Sequence, residues 1–433
     1  MILSILAFGK VQAQVYLPGG VKQAIESDWN LVGNNYASYF NVYNFIDKLG
    51  QTKQTPAPEG YEAFYVSSYH RHGSRWLGAT KQYEDPITLL KRAEQKKVIT
   101  EDGKLMMKML EQQLEISTKG NLGQLTDIGA AQHKAMAERM VKNFPEVFDG
   151  KGDYFAQSST VKRCVLSMNS ECAVIEAAGN CKVKQVNGLP GMQDRLASFY
   201  NTDRTKAMGK IGWSAYANEK AKMTPYKRIF KQLMTDASWL TVKEQKEFVW
   251  LVFDIAQNMR SHKLDIDLWK FFTKEEIEAF YTVENREWYY TSGPAPLTKG
   301  VMPLRARNQL VDILEAADTI TSRKNWHGTN LRFGHDTFLM PLSCLMELGT
   351  CGKAVQQENI EKLDQVWRMQ EISPMGGNIQ LVFYRPKNGT NGEVLIKAML
   401  NEREVTLPGT AVSGPYYKWS EIRKHWRNRI NLK

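Results

Sequence analysis

Residues Tyr61 to Arg75 read YEAFYVSSYHRHGSR. The opening Tyr61 to Val66 is rich in aromatic and β-branched residues and predicts a β-strand. That strand runs into Arg71-His72-Gly73-Ser74-Arg75, which places two guanidiniums and an imidazole within five residues of its end. Gly73, lacking a Cβ, lets backbone pass close to a ligand there. In open α/β sheets ligands bind at the carboxyl ends of the strands. Two Arg side chains suit a phosphate better than two Lys, because their planar forks donate paired hydrogen bonds. Surrounding positive charge would keep a ring nitrogen of His72 unprotonated and able to attack phosphorus. Taken alone, the string reads more readily as an exposed basic loop.

Outward from this stretch, the chain alternates strands and helices. Thr126 to Phe144 carries apolar positions at helical spacing and is closed by Pro145. Asp153 to Gln157 predicts a short strand, followed by a helix from Val161 to Ala178. From about Leu189 to Pro296 the pattern becomes long amphipathic helices, with capping boxes at Thr241/Glu244 and Thr273/Glu276. Strand character returns at Asn330 to Gly334, ahead of His335-Asp336 and a helix from Thr337 to Leu348. Asn378 to Arg385 and Val394 to Leu400 predict paired strands around Asn388-Gly389, and Lys418 to Arg429 a basic helix. The expected architecture is α/β: a central, mostly parallel sheet flanked by helices, with a mainly helical cap inserted. Residues 15–180 and 300–433 would form the core, and 181–299 the cap.

A chain of 433 residues, 42 % hydrophobic and 24 % charged, is an ordinary globular protein rather than a disordered or fibrous one. No run reaches the roughly 18 apolar residues of a membrane span. Met1 to Phe8 is a short apolar run, and Val11-x-Ala13 resembles a cleavage site, so residues 1–14 read as a signal-peptide remnant whose start lies upstream. The alternative is an apolar strand. Export to a periplasm or beyond is the expectation. Five cysteines make no disulfide framework and no C-x-x-C zinc pair; Cys172 with Cys181, or Cys344 with Cys351, could pair, and free buried thiols fit as well. The net charge of +11 suits an anionic partner without choosing among anions.

Gly334-His335-Asp336-Thr337 repeats the strand-end theme, with the free amides of a helix start facing any bound anion. Asp336 could give a proton to a leaving oxygen, or simply cap the helix. Together the two strings resemble the second branch of the histidine phosphatase superfamily, which includes acid phosphatases, phytases and multiple inositol polyphosphate phosphatases. Arg71 to Arg75 looks like the family's R-H-G-x-R-x-P, although Trp76-Leu77 stand where the final x-P would be. Gly334-His335-Asp336-Thr337 looks like the phytase form of its H-D motif. Gly123-Gln124-Leu125-Thr126, with Gly129 and Gln132, resembles the G-x-L-T-x-x-G signature, and Ser158 to Ser167 the element that delivers a third phosphate-binding Arg. The likeness covers about Tyr61 to Leu407.

The resemblance implies that His72 is a nucleophile forming a phosphohistidine. It makes Arg71, Arg75, Arg163 and His335 the phosphate-binding groups, and Asp336 the proton donor and later base. It implies no cofactor and no metal, since guanidiniums supply the charge stabilisation. The implied partner is a phosphorylated small molecule, with no nucleic acid and no membrane span; the oligomeric state is not legible. Asn330 to Leu342 and Leu400 to Arg403 look most like the inositol polyphosphate phosphatases, which carry H-A-E where this chain has His335-Asp336-Thr337. Inositol hexakisphosphate is therefore the expected substrate class, with a broad-specificity acid phosphatase as the alternative. A positive cleft would concentrate such a polyanion, and the cap residues Lys206, Lys210, Lys220 and Lys222 are candidates to line it.

Two other classes compete. His70-x-His72, completed by His133, His262 or His327, could ligate a metal, although Arg71 and Arg75 would oppose a cation. His133 and His327 are expected at solvated positions. A non-catalytic polyanion-binding protein could use the helix Lys418 to Arg429, unless Trp419 and Trp426 pack it onto the domain.

Overall fold

The computed structural model describes residues 54–189, 191–262, 264, 266–323, 325–387 and 392–431. Residues 1–14 and the Asn388-Gly389 turn lie outside the described residues.

Strand β1 spans Tyr61–Arg71, and its last nine residues are buried without a break. That is the signature of a strand covered on both faces. Its polar members are paired: Ser67 accepts from Arg332, and Ser68 meets His70. Helices of ten or more residues follow as α1 (Lys81–Gln95), α2 (Glu101–Thr118) and α3 (Asp127–Asn143). Next come β2 (Asp153–Ser158), α4 (Lys162–Gly179) and β3 (Val183–Asn187). A helical segment carries α5 (Asp203–Met223), α6 (Val242–Asn258), α7 (Lys274–Ser292) and α8 (Arg307–Thr321). The chain returns to the sheet with β4 (Gly328–Gly334), α9 (Asp336–Leu345), β5 (Asn378–Pro386), β6 (Leu395–Leu400), β7 (Arg403–Val405), β8 (Tyr417–Lys418) and α10 (Trp419–Ile430).

The sheet order is β3-β2-β4-β1-β5-β6-β7, with β8 also pairing β6. Strands β3, β2, β4 and β1 run parallel, whereas β5, β6 and β7 are antiparallel. Because β4 inserts between β1 and β2, three carboxyl ends lie abreast. One face of the sheet packs on α3 and α4 through Met140, Phe144, Met168 and Ile175. The other face continues through Phe64, Tyr65 and Tyr69 into the helical segment, including Phe248, Phe253 and Phe280. The cap helices thus share a core with the sheet. Strand β3 lies within the stretch 181–299 yet belongs to the sheet, pairing Val183 with Tyr154.

Capping explains where the helices start. Thr126 Oγ1 accepts from Gly129 N at 3.1 Å, and both expected capping boxes, Thr241/Glu244 and Thr273/Glu276, are formed. Helix α10 packs Trp419 and Trp426 into the core, and Trp426 Nε1 donates to Met346 O at 3.1 Å. Its Arg423 and Arg427 pair with Asp318, and Arg429 lies 3.7 Å from Glu347. A helix with buried indoles and occupied guanidiniums offers little to a polyanion. All five cysteines are free, so neither candidate disulfide forms.

A tight backbone approach joins the loop after β1 to the start of α3. A Cβ on Gly73 would collide with the Gly129 carbonyl, and one on Gly129 with the Ser74 carbonyl. Backbone on both sides leaves nothing flexible to yield. Gly129→Ala is expected to destabilise by about 1–3 kcal/mol, read as a lower urea midpoint, the usual penalty for overpacking. An unchanged midpoint would show that the two segments can part.

Candidate active site

Parallel register sets the centre. Arg71 stands opposite Gly334, and Ser158 opposite Phe333, so Arg71-His72, Gly334-His335-Asp336 and Ser158-Ser159 form three adjacent strand ends. Backbone bonds continue the ladder past the strands: His72 N donates to Gly334 O at 3.0 Å, and Ser159 N to Phe333 O at 2.9 Å.

Arg71 is fully buried, with Nη2 2.8 Å from Asp336 Oδ2 and Nη1 donating to Ser373 O at 2.5 Å. Asp336 Oδ1 accepts from Thr337 N at 2.7 Å. His72 Nδ1 lies 2.9 Å from Gly73 O, a contact that requires the proton on Nδ1 and leaves the lone pair on Nε2. Burial holds the His72 imidazole well below its ordinary range, and Arg163, Arg71, His335 and Arg75 push it further down. The expectation assigned this to charge; desolvation is the larger cause. The His335 ring stands edge-on to His72 at 5.6 Å, with Nε2 3.2 Å from Ser159 Oγ. Burial brings His335 down to about 4, so it too is neutral. Arg163, on the first turn of α4, and Arg75 both line the adjoining cleft. All six expected residues therefore gather at one place.

The G-x-L-T-x-x-G stretch is the loop's scaffold. Ser74 O accepts from Thr126 N at 2.9 Å and from Thr126 Oγ1 at 3.1 Å. Gln132 closes a reciprocal pair, accepting from Ser74 N and donating to Ser74 Oγ, both at 2.9 Å. Gly73 N donates to Ser167 Oγ at 3.1 Å. Where the family pattern has x-P, Trp76 N donates to Gln124 O at 3.0 Å, and Trp76 stacks on His262 at 4.4 Å. The departure at Trp76-Leu77 is thus absorbed by backbone pairing. Sequence reasoning did not find Ser159, Ser373 or the Ser167 contact, because no local signal marks a serine that serves a distant loop.

A cavity of about 500 Å³ opens beside the anion pocket, between Arg75 and Arg163 on one side and the cap helices on the other. Lys220 reaches it, whereas Lys206, Lys210 and Lys222 are exposed and are not among its lining residues. The cap instead contributes Asp254 from α6 and Glu284 and Glu287 from α7. Its lining balances three cations, Arg75, Arg163 and Lys220, against three carboxyls. The sign of the expected positive cleft therefore depends on those carboxyls: it is positive while they hold their protons and mixed once they lose them. Burial pushes the Asp254 carboxyl up to about 7, against the pull of Lys220 and Arg75. Burial likewise raises Glu284 well above its ordinary range, with Asp254 adding to it.

Of the histidines in the metal reading, His70 and His133 come together with Glu171 in a fully buried cluster whose ligand atoms could hold an ion, with His133 Nδ1 2.9 Å from Glu171 Oε2. His133 is thus interior, contrary to the expectation of a solvated helix face. His262 pairs with Gln113 at 3.1 Å, and His327 is only partly exposed, 2.6 Å from Asp149. His72 belongs to none of these groups. Among the described residues no helix is long and apolar enough to cross a membrane.

The fold and the site define an α/β protein whose anion pocket surrounds a buried neutral imidazole. The chain belongs to the histidine phosphatase superfamily (branch 2), whose sequence pattern matches residues 65–401, and is thereby a phosphomonoester hydrolase. Among solved structures it is similar to the Bifidobacterium longum multiple inositol polyphosphate phosphatase in complex with phosphate. That match has 17 % identity and a TM-score of 0.68, over 92 % of this chain and 98 % of that one. The inositol hexasulfate complex of the same protein gives 16 % identity and a TM-score of 0.63, over 86 % and 94 %. The phytase from D. castellii gives 14 % identity and a TM-score of 0.63, over 87 % and 81 %. No curated protein matches the chain by sequence.

The raised Asp254 carboxyl has a linkage consequence. Its folded-state value of about 7 exceeds the ordinary 3.8, so the folded state holds the proton more tightly and loses stability as pH rises between those values. Asp254→Asn is expected to raise the thermal midpoint relative to wild type at pH 8 and to lose that advantage by pH 4. An equal difference at both pH values would mean that Asp254 is not held protonated.

Proposed function

We propose that the protein is a metal-independent phosphomonoesterase that works through a phosphohistidine and removes phosphates from inositol polyphosphates. The observation that carries this reading is the placement of His72, its lone pair on Nε2, among Arg71, Arg75, Arg163 and His335, with Asp336 ion-paired to Arg71. The three guanidiniums and the His335 N–H bind the phosphoryl oxygens and stabilise their charge in the transition state. His72 Nε2 attacks phosphorus, and the P–O bond to the alcohol breaks as the N–P bond forms. Asp336 protonates the departing oxygen. In the second half Asp336 takes a proton from water, the hydroxide oxygen bonds to phosphorus, and the N–P bond breaks to restore His72.

The Arg71–Asp336 ion pair connects substrate binding to the acid. An arriving phosphate dianion competes for Arg71 and replaces its partner with a like charge, which favours the protonated form of Asp336. Activity is accordingly expected to favour acidic pH. The likeness to proteins solved with phosphate and with inositol hexasulfate supports the substrate class. A second reading, a broad-specificity phosphatase of small phosphomonoesters, is favoured by the mixed charge of the cleft. The apolar run Met1 to Phe8 with Val11-x-Ala13 supports export to a periplasm or medium, which N-terminal sequencing of exported protein would test.

The decisive assay is phosphate release from inositol hexakisphosphate and p-nitrophenyl phosphate with EDTA present. Wild-type activity is expected to survive EDTA, and His72→Ala to lose roughly 10³-fold or more on both substrates. Asp336→Asn is expected to lose about 10²–10⁴-fold on the inositol substrate, whose alkoxide needs a proton. On p-nitrophenyl phosphate the first step, read as a pre-steady-state burst of nitrophenolate, is expected to lose far less, because nitrophenolate departs unaided, whereas breakdown of the phosphohistidine slows for both substrates. Activity abolished by EDTA, or a nitrophenolate burst slowed as much as attack on the inositol substrate in Asp336→Asn, would overturn the mechanism.

A further inference from the structure

The wall of the cleft that faces Arg75 and Arg163 is built from cap residues that no phosphate needs. Asp254 projects from α6, and Glu284 and Glu287 from α7 one helical turn apart. They are engaged in different ways. Glu284 Oε1 accepts from Gln257 Nε2 at 2.9 Å, while Glu284 Oε2 is shielded from solvent with no hydrogen-bond partner. Glu287 is bonded to the Tyr216 hydroxyl. From α5, Lys220 Nζ lies 3.2 Å from Tyr216 Oη and 4.3 Å over the Trp250 ring. Asp254 feels both Lys220 and Arg75, so the carboxyl wall adjoins the phosphate-binding guanidiniums. A carboxyl oxygen buried without a partner costs free energy, which favours its protonated form. Asp254, Glu284 and Glu287 nevertheless line the cavity on the side where the alcohol carrying the scissile phosphate would sit.

We propose that Asp254, Glu284 and Glu287 form the leaving-group subsite, and that it admits alcohols bearing hydroxyls beside the scissile phosphate in preference to alcohols bearing further phosphates there. This rests on the phosphomonoesterase reading and deepens it. A vicinal hydroxyl donates to a carboxyl oxygen and accepts from a carboxylic acid, so it pairs with this wall in either protonation state. A second phosphate is acceptor-only when fully ionised, and it meets carboxylates with one Lys220 to offset them. Like charges facing each other in a partly desolvated cleft are repulsive. The sieve therefore tightens as the wall ionises, with Lys220, Arg75 and Arg163 as the cations facing it and Tyr216 as its neutral neighbour. Once the wall is ionised, inositol phosphates already carrying free ring hydroxyls are the better substrates and the hexakisphosphate the poorest; while the wall holds its protons, Lys220, Arg75 and Arg163 leave the cleft open to polyphosphates.

The test is the ratio of kcat/KM for inositol hexakisphosphate to that for inositol monophosphate. Phosphate monoesters themselves ionise at about pH 6, so the pH dependence of the ratio is read as the difference between wild type and variant. For wild type the ratio is expected to fall at least tenfold from pH 5 to pH 8. In Asp254→Asn/Glu284→Gln/Glu287→Gln the ratio at pH 8 is expected to rise at least tenfold, and its pH dependence to flatten. The single variant Glu287→Gln, expected to move the ratio the same way by a smaller factor, keeps the proposal falsifiable if the triple variant does not fold. A flat wild-type ratio, or a variant ratio within twofold of wild type, overturns the sieve. With p-nitrophenyl phosphate as reference, hydrolysis of that ester with a flat ratio overturns the sieve alone. No release from any of the three esters overturns the phosphomonoesterase reading and the sieve with it.

Discussion

A guanidinium shut away from water is the constraint around which the centre is organised. Arg71 is wholly buried at the end of β1, and a charge in that position is tolerated only when it is paired and hydrogen-bonded. Its partners come from two distant parts of the chain, Asp336 at the start of α9 and the Ser373 carbonyl ahead of β5. Arg71 N also donates to Gly377 O at 2.7 Å, and Gly376 N to His72 O at 3.0 Å. Satisfying one side chain therefore fixes the relative positions of β1, α9 and the segment before β5. The imidazole next in sequence inherits that rigidity, and its neutrality follows from the same exclusion of water.

Much of this centre is legible in the sequence because its elements are local. Arg71 to Arg75 and His335-Asp336 each follow a strand whose residue types announce it, and Thr126, Thr241 and Thr273 mark helix starts by a chemistry confined to one turn. The sheet edges are not legible. Strand β3, VKQVN, is largely exposed and alternates too weakly to stand out, and β8 has two residues. The cleft wall is hidden for another reason. Lys206, Lys210, Lys220 and Lys222 look alike in sequence, and only the packing of α5 against α7 turns Lys220 inward. Glu284 and Glu287 sit among other acidic residues of α7, with nothing local to separate a cleft carboxyl from a solvated one. His133 shows the converse error, since a helix with mixed composition hides which face meets the sheet.

The buried titratable groups pull in opposite directions. Burial holds His70, His262 and His335 at about 4 and His72 well below its ordinary range, so stability is lost as pH falls from the ordinary histidine value toward 4. The raised carboxyls of Asp254, Glu284 and Glu287 gain stability over the same descent, because the folded state keeps their protons. The histidines serve the anion pocket and its support, and the carboxyls line the cap. The carboxyls thus offset part of the acid sensitivity that the histidines impose, and the histidines part of the loss that the carboxyls impose as pH rises.

The sheet order also bears on how the chain comes to be folded at all. Among the described residues β1 pairs with β4 and β5, which begin at Gly328 and Asn378. During synthesis from the N-terminus its aromatic, β-branched sequence meets neither of these partners until most of the chain has emerged. Contacts of such separation are slow to form, and an unpaired apolar strand is a template for association with other chains. The strand that leads into His72 thus waits for its neighbours while the ribosome is still at work, and shielding it before β4 arrives protects the chain from misassembly.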